Sequence, residues 1–445
     1  MRLVFNTRLL LFAALLVVLG GSATGVRAQA VGPGEVLINE FRLAGPGGFA
    51  DEYIEFYCNR DTACDVSGYN IIAFDPSFGD FAVSFPAGTV IPARGYLLVG
   101  DDAGYTLTSY AALDLVASFG GEADFFVDNE GLQLRNADQT VVIDSVGFIG
   151  GGGTVQYIEG TGLQRATAER PADQYAYTRK LVNGGGGRPQ DSNNNANDFV
   201  LVSVTGAAHP GITAPPVLGA PGPQNTIAPI ERNAQTDAFL VEPAAPASAS
   251  PNQVRVGSGN SGTLSLRRTF TNNTGEDITF LIFRVIEITT LNSPGYSPGG
   301  TQADLRLITS SDAETFVNSQ GRTVTIRGTV LEFDDGVNQP HQPNGGGLNS
   351  SVSVPVSVPA GESVDVQFLL NVVQAGRFRF FVNVEAVTGA IVEQGGTDRP
   401  TRSSLPATTP RSLSKTRVPF IPANLRTLPK VVAPTRTSSR TLNQR

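Results

Sequence analysis

The 445-residue chain has no tryptophan, one methionine, two cysteines and two histidines. Two cysteines exclude a four-cysteine zinc site. His209 and His341 stand too far from Cys58 and Cys64 for the ligand spacing of a two-cysteine, two-histidine site. So few histidines disfavour a histidine acid/base system, while 40 Asp and Glu leave carboxylate chemistry open. Charge is sparse at 16%, but 40% apolar residues are enough for packed cores, so the chain reads as globular. Acid is missing from both ends. Residues 1–30 hold three arginines and no acid, and the stretch after Pro400 holds nine basic residues and no acid. The body between them carries 20 basic and 40 acidic residues and should repel bare nucleic acid.

Long apolar runs are also rare. Leu9–Leu19 follows Arg2 and Arg8 and ends in small residues at Ala28-Gln29-Ala30. That is the layout of a secretory signal peptide over residues 1–30, with cleavage expected after Ala30 or, as second choice, Ala28. The run is too short to span about 30 Å of hydrocarbon. Phe280–Ile288 is interrupted by Arg284 and Glu287, so no transmembrane segment is expected once the signal is removed. The location expected is secreted or extracellular, with the periplasm as the alternative. In an oxidising compartment Cys58 and Cys64, either side of a five-residue turn, are expected to form a disulfide.

What is abundant is glycine (50) and proline (29), with many short runs rich in Val, Thr and Phe. Such runs, bounded by Gly, Pro, Asn and Asp, predict strands and turns. In Tyr53-Ile54-Glu55-Phe56-Tyr57, Ile54 and Phe56 share one face and Glu55 takes the other. A first unit covers residues 33–225. Residues 226–259 read as a Pro/Ala/Gly-rich linker, with one strand suggested at Asp237–Val241. A second unit covers 260–390, where Val364, Val366, Phe368, Leu370 and Val372 alternate without a break. Its seven strands predict a second antiparallel sandwich. Residues 391–445 read as a disordered, basic, Pro/Ser/Thr-rich tail. Few contacts are expected across the linker, so each half is expected to fold alone and the tail to leave both unaffected.

The first unit resembles the lamin tail domain. The residues that carry this are Leu37-Ile38-Asn39-Glu40-Phe41, Asp51-Glu52-Tyr53-Ile54-Glu55-Phe56-Tyr57, Asp65-Val66-Ser67-Gly68-Tyr69 and the stretch Phe85–Tyr96. The closing Gly219-Ala220-Pro221-Gly222-Pro223-Gln224-Asn225 is similar to the end of secreted bacterial members. The resemblance implies an immunoglobulin-like β-sandwich and hence an all-β chain of two antiparallel sandwiches in tandem. It also implies a non-catalytic adhesion, scaffolding or targeting module, whose partner would be an extracellular or cell-envelope protein or polysaccharide.

Three constellations invite chemistry. Asp191, Asn193, Asn195 and Asn197 fall at alternate positions, as calcium ligands do, but Ala196 and Val202 stand where an EF-hand needs Gly and Glu. A loop that satisfies its own backbone through Asx turns is the preferred reading, with calcium as the one cofactor to test. Glu52 and Glu55 are an acid pair, but odd spacing in a strand sends them to opposite faces, so they read as a fold signature paired with backbone or arginine. Asp334, Asp335 and His341 would serve the rival reading, a hydrolase centred in the second unit. Arg267-Arg268 and Arg377-x-Arg379 read as solvated strand faces. A third reading binds nucleic acid or another polyanion through the basic tail alone.

Overall fold

The computed structural model describes residues 30–75, 79–101, 104–117, 131–150, 156–166, 174–182, 188–331, 342–343, 345–354, 356–388, 411–413 and 415–417. In the first unit the strands are β1 (Val36–Arg42), β2 (Tyr53–Cys58), β3 (Cys64–Asp65), β4 (Asn70–Asp75), β5 (Gly79–Ser84), β6 (Val90–Ile91), β7 (Tyr96–Gly100), β8 (Leu115–Ala117), β9 (Gly131–Arg135), β10 (Val142–Gly147), β11 (Tyr175–Arg179), β12 (Phe199–Ser203) and β13 (Val217–Leu218). The second unit has β14 (Thr236–Leu240), β15 (Gln253–Val256), β16 (Thr263–Asn272), β17 (Ile278–Ile288), β18 (Asp304–Ile308), β19 (Thr315–Val317), β20 (Thr323–Arg327), β21 (Val330–Leu331), β22 (Ser351–Val354), β23 (Ser363–Gln374) and β24 (Phe380–Thr388). Two further strands, β25 (Arg411–Leu413) and β26 (Lys415–Arg417), come from the tail.

The first sandwich faces an eight-stranded sheet, β13-β12-β11-β1-β2-β7-β8-β25, against a five-stranded sheet, β10-β9-β4-β5-β26. In β2 the predicted alternation holds: Ile54, Phe56 and Cys58 point into the core between the sheets. In β1 a bulge at Asn39 breaks the period of two, so that Ile38 and Phe41, three apart, both reach that core. Phe41 stacks on Tyr177 at 5.1 Å and meets Phe199 edge-on at 5.6 Å. Burying each such side chain contributes about 1.5–3 kcal/mol. Cys58 and Cys64 are bonded and fully buried, and they tie β2 to β3 across the turn.

The second sandwich faces a sheet with the path β14-β16-β23-β20-β19 against the four-stranded β21-β22-β17-β24. The long strands β16 and β23 pair from Thr263↔Asn371 to Thr271↔Ser363, and Phe270, Phe283 and Phe368 close the core between the sheets. Both units are mainly antiparallel. Parallel pairs enter at β7–β8, β8–β25, β12–β13 and β20–β23.

Two boundaries differ from expectation. The stretch read as a linker contains β14 and β15, which both pair with one edge of β16, so the second sandwich starts near Thr236. The strand suggested at Asp237–Val241 is β14; Pro243, Pro246 and Pro251 lie between it and β15, where no ladder amide is needed, and their density hid β15. The tail read as disordered gives two strands. β25 adds to β8 in parallel and β26 adds to β5 antiparallel, one on each sheet of the first sandwich.

Candidate functional site

Because every second residue of a strand points away from its own core, the large sheet of the first sandwich has an outer face, and that face is covered. Tyr53 and Glu55 of β2 and Glu40 of β1 lie on it, and all three are buried. The bulge at Asn39 moves Glu40 off the core side and sets it directly across from Glu55. Two carboxylates opposed on adjacent strands repel each other. Burial pushes both pKa values up, Glu55 well above the usual carboxylate range, with Glu40 adding to the rise at Glu55.

The cover is the segment 217–226, which runs across this face as a strap. Its backbone amides serve the acids beneath it. Gly222 N–H donates to Glu40 at 2.7 Å, Gln224 N–H donates to Glu55, and Thr226 N–H donates to Asp114 at 2.9 Å. The Tyr53 hydroxyl donates to Glu40 at 2.6 Å, and Asn39 Nδ2 donates to Glu55 at 2.6 Å.

On its other side the strap meets the second sandwich. Leu218 N–H donates to the Leu291 carbonyl, Leu348 N–H to the Leu218 carbonyl, and Ala220 N–H to the Leu348 carbonyl, at 2.9–3.0 Å. A Cβ at Gly347 would collide with the Leu218 carbonyl, so this backbone-to-backbone approach requires glycine there. Above it lies Arg284 of β17. Its Nε donates to Glu385 at 2.6 Å and its Nη1 to Asn349 Oδ1 at 2.8 Å and to the Gly222 carbonyl at 3.3 Å. Asn349 in turn donates to Glu40 at 2.8 Å and to the Ala220 carbonyl at 3.0 Å. Burial works against the Arg284 charge, and Glu385 with the nearby tyrosines more than offsets it. The expectation of few contacts between the halves is therefore corrected: strap, Arg284 and Asn349 form one continuous polar junction.

A cavity of about 630 Å³ opens along this junction, with walls from both sandwiches. Asn39, Glu55, Tyr96 and Gln224 line it from the first unit and its strap, and Glu385 and Phe378 from the second.

The residues singled out in the sequence fall in several places. The Asp191–Asn197 loop ends in a helical turn, Asn195–Asp198, capped by Asn194. Asn195 is buried, with its Oδ1 accepting from Gly147 N and Glu159 N and its Nδ2 donating to the Ser145 carbonyl. Asp191 Oδ1 accepts from Asn193 N at 3.3 Å, and Asn193 takes a positive φ. Asp198, which the spacing argument passed over, accepts from Ser192 and Gln190. Three carboxylates, of Asp144, Glu159 and Asp191, come close enough to face one cation. Arg179 already stands there, 2.7 Å from Asp144 and 3.8 Å from Asp191. Glu55 meets Glu40 and the strap, as a signature acid bonded to backbone. Arg267, expected on a solvated face, is buried and donates to Glu314 at 2.9 Å; Arg377 and Arg379 are exposed. Ala30 is the first described residue and bridges to Asp65. Residues 1–29 and Asp334, Asp335 and His341 lie outside the described residues.

Glu40, Arg284, Asn349 and Gln224 were not singled out. Arg284 carried a signal: a charged residue within a strand that is apolar on both sides must find a buried partner.

Comparison with known proteins supports the reading of the first unit. The family model of the lamin tail domain matches residues 29–150. That family is immunoglobulin-like and non-enzymatic. β11, β12 and β13 lie beyond the match and extend its large sheet. No curated protein matches the chain. Among solved structures, a DUF4876 family protein from Bacteroides thetaiotaomicron is similar at a TM-score of 0.27 and 12% identity, over 38% of this chain and 70% of that one. Among the described residues, no helix is long and apolar enough to cross a membrane.

Proposed function

We propose that the chain is an exported bacterial, non-catalytic protein that acts as an adhesion, scaffolding or targeting module. Its partner is a protein or polysaccharide outside the cell or on the cell envelope. The observation that carries this is the use made of the buried acids. Glu40 and Glu55, which an acid pair acting on a glycosidic bond at this face would need free, accept backbone amides from the strap and side-chain donors from Tyr53, Asn39 and Asn349. Their geometry serves the joint between two sandwiches. The matched domain family and the Cys58–Cys64 bond, which an oxidising compartment favours, point the same way.

The test incubates the tagged, exported protein with cell-envelope polysaccharide, secreted proteins and DNA. Retention on envelope or secreted material is expected, and an intact mass beginning at Val31 or Gln29. Retention on DNA alone, lost steeply with salt, would replace this reading with polyanion binding. Steady release of soluble fragments from the polysaccharide would replace it with hydrolysis.

A further inference from the structure

We propose that the cleft between the two sandwiches binds a neutral, hydroxyl-rich ligand, a short oligosaccharide, through Asn39 and Gln224. The inference rests on the adhesion and targeting reading and names the ligand class of that same cleft.

The first support is a pair of polar groups that the fold leaves without partners. Gln224 is 3% exposed. Its backbone N–H is used by Glu55, but its Nε2 has no hydrogen-bond partner among the described residues. Asn39 gives its Nδ2 to the same carboxylate, and its Oδ1 likewise has no partner among the described residues. Both residues line the cleft. A buried polar atom left unpaired costs about 1–3 kcal/mol, so an orphan donor and an orphan acceptor in one wall call for a reason.

Their chemistry selects the ligand. One orphan is a donor and the other an acceptor, and both residues are held by a single carboxylate. A hydroxyl donates and accepts at one atom, so the hydroxyls of one sugar can serve both. An ammonium group offers only donors and a carboxylate only acceptors. A peptide amide has both, but on opposite edges of its plane.

Charge and shape agree. Five carboxylates (Glu40, Glu55, Glu231, Glu287, Glu385) and five basic groups (Arg179, Lys180, Arg284, Arg377, Arg379) line the cleft. Many of them are already engaged. Arg284 pairs with Glu385 at 2.6 Å and Arg379 with Glu287 at 2.7 Å, while Lys180 Nζ donates to the Asn197 carbonyl at 2.8 Å. With so many of its charges paired internally, the lining offers few free ones to hold an ion. Tyr96, Phe378 and Leu348 add apolar surface of the kind that packs on the C–H faces of a sugar ring. The volume of about 630 Å³ is that of an ordinary small-ligand site.

The experiment titrates the full chain with neutral oligosaccharides of the cellulose, chitin, mannan and starch series by calorimetry, with Gln224→Met and Phe378→Ala alongside. At least one series should bind saturably. Gln224→Met should weaken that binding about tenfold, a loss equal to one hydrogen bond. Its melting temperature should stay level or rise, because the substitution removes an unpaired buried donor. Phe378→Ala, in the wall from the second sandwich, should weaken the same ligand. Saccharide binding unchanged in Gln224→Met would overturn the proposal, and so would silence with all four series. Retention on envelope material without any oligosaccharide response would sink the ligand class while leaving the adhesion reading intact. Failure to be retained on any envelope or secreted material would sink both.

Discussion

Arg179 and Arg284 are both buried guanidinium groups set among carboxylates, yet they hold different things together. Arg179 lies 2.7 Å from Asp144, 3.7 Å from Asp198 and 3.8 Å from Asp191, all within the first sandwich. It closes the Asp/Asn-rich loop onto β10 and β11. Arg284 has one acid from its own sandwich, Glu385, and then reaches across to the strap at Gly222 and to the Tyr110 hydroxyl at 3.5 Å. The field of Glu40 and Glu55 from the first unit also acts on it. The chemistry is the same and the connectivity is not. An ion cluster whose members come from one unit fixes a loop. One whose members come from two units makes them a single body.

The comparison is broken most forcefully by removing each arginine. Arg284→Met leaves Glu385 buried without its cation, and losing one partner of a buried pair costs about 3–5 kcal/mol. Denaturant unfolding should show that loss together with separation of the two halves into distinct steps. Arg179→Met should cost a similar amount and keep one step, because its partners all lie in the first unit.

A smaller effect comes from the disulfide. Replacing Cys58 and Cys64 by serine should lower stability by about 2 kcal/mol, because the closed loop is short. Equilibrium unfolding should detect the loss with the coupling of the halves unchanged.

Both sites predict a pH dependence: beside Arg179, burial holds Asp144 up at about 6, and at the junction the raised group is Glu55. Glu55 keeps its proton to a higher pH folded than unfolded, chiefly because it is buried. The folded state therefore binds more protons above the ordinary glutamate pKa, and stability falls as pH rises from there through the raised value. Stability curves measured from pH 5 to pH 9 should show this decline in the wild type. They should be flatter in Glu55→Gln, which keeps the shape and cannot ionise.

Asp191→Ala should do least. Its side chain is 23% exposed and 3.8 Å from Arg179, and such a pair contributes about 0–1 kcal/mol. Added calcium should leave the melting temperature of both proteins unchanged. A rise in the wild type that is lost in Asp191→Ala would restore the metal reading of that loop.

Much of the sandwich was legible because strand cores obey a period of two. The alternation in β2 and β23 placed Ile54, Phe56, Val366 and Phe368 correctly. The site was less legible, for two physical reasons. The first is the bulge at Asn39: a strict alternation puts Ile38 and Glu40 on one face, and one extra residue reverses Glu40. The second is distance along the chain. Glu55 is buried only because a segment some 170 residues later crosses over it, and no local pattern reports a cover of that kind. The family-like closing stretch was recognised in the sequence, but not its part as the donor of amides to Glu40 and Glu55. β14 was suggested at Asp237–Val241, but β15 was obscured by the proline-rich loop that precedes it. In the tail, pairing comes from backbone groups that meet open sheet edges, which composition does not encode.

The central claim is that the strap and Arg284 make the two sandwiches one cooperative body. Differential scanning calorimetry of the full chain tests it directly. The account predicts a single transition whose calorimetric and van't Hoff enthalpies agree, splitting into two in Arg284→Met. Two independent transitions in the wild type, each unmoved by Arg284→Met, would contradict it.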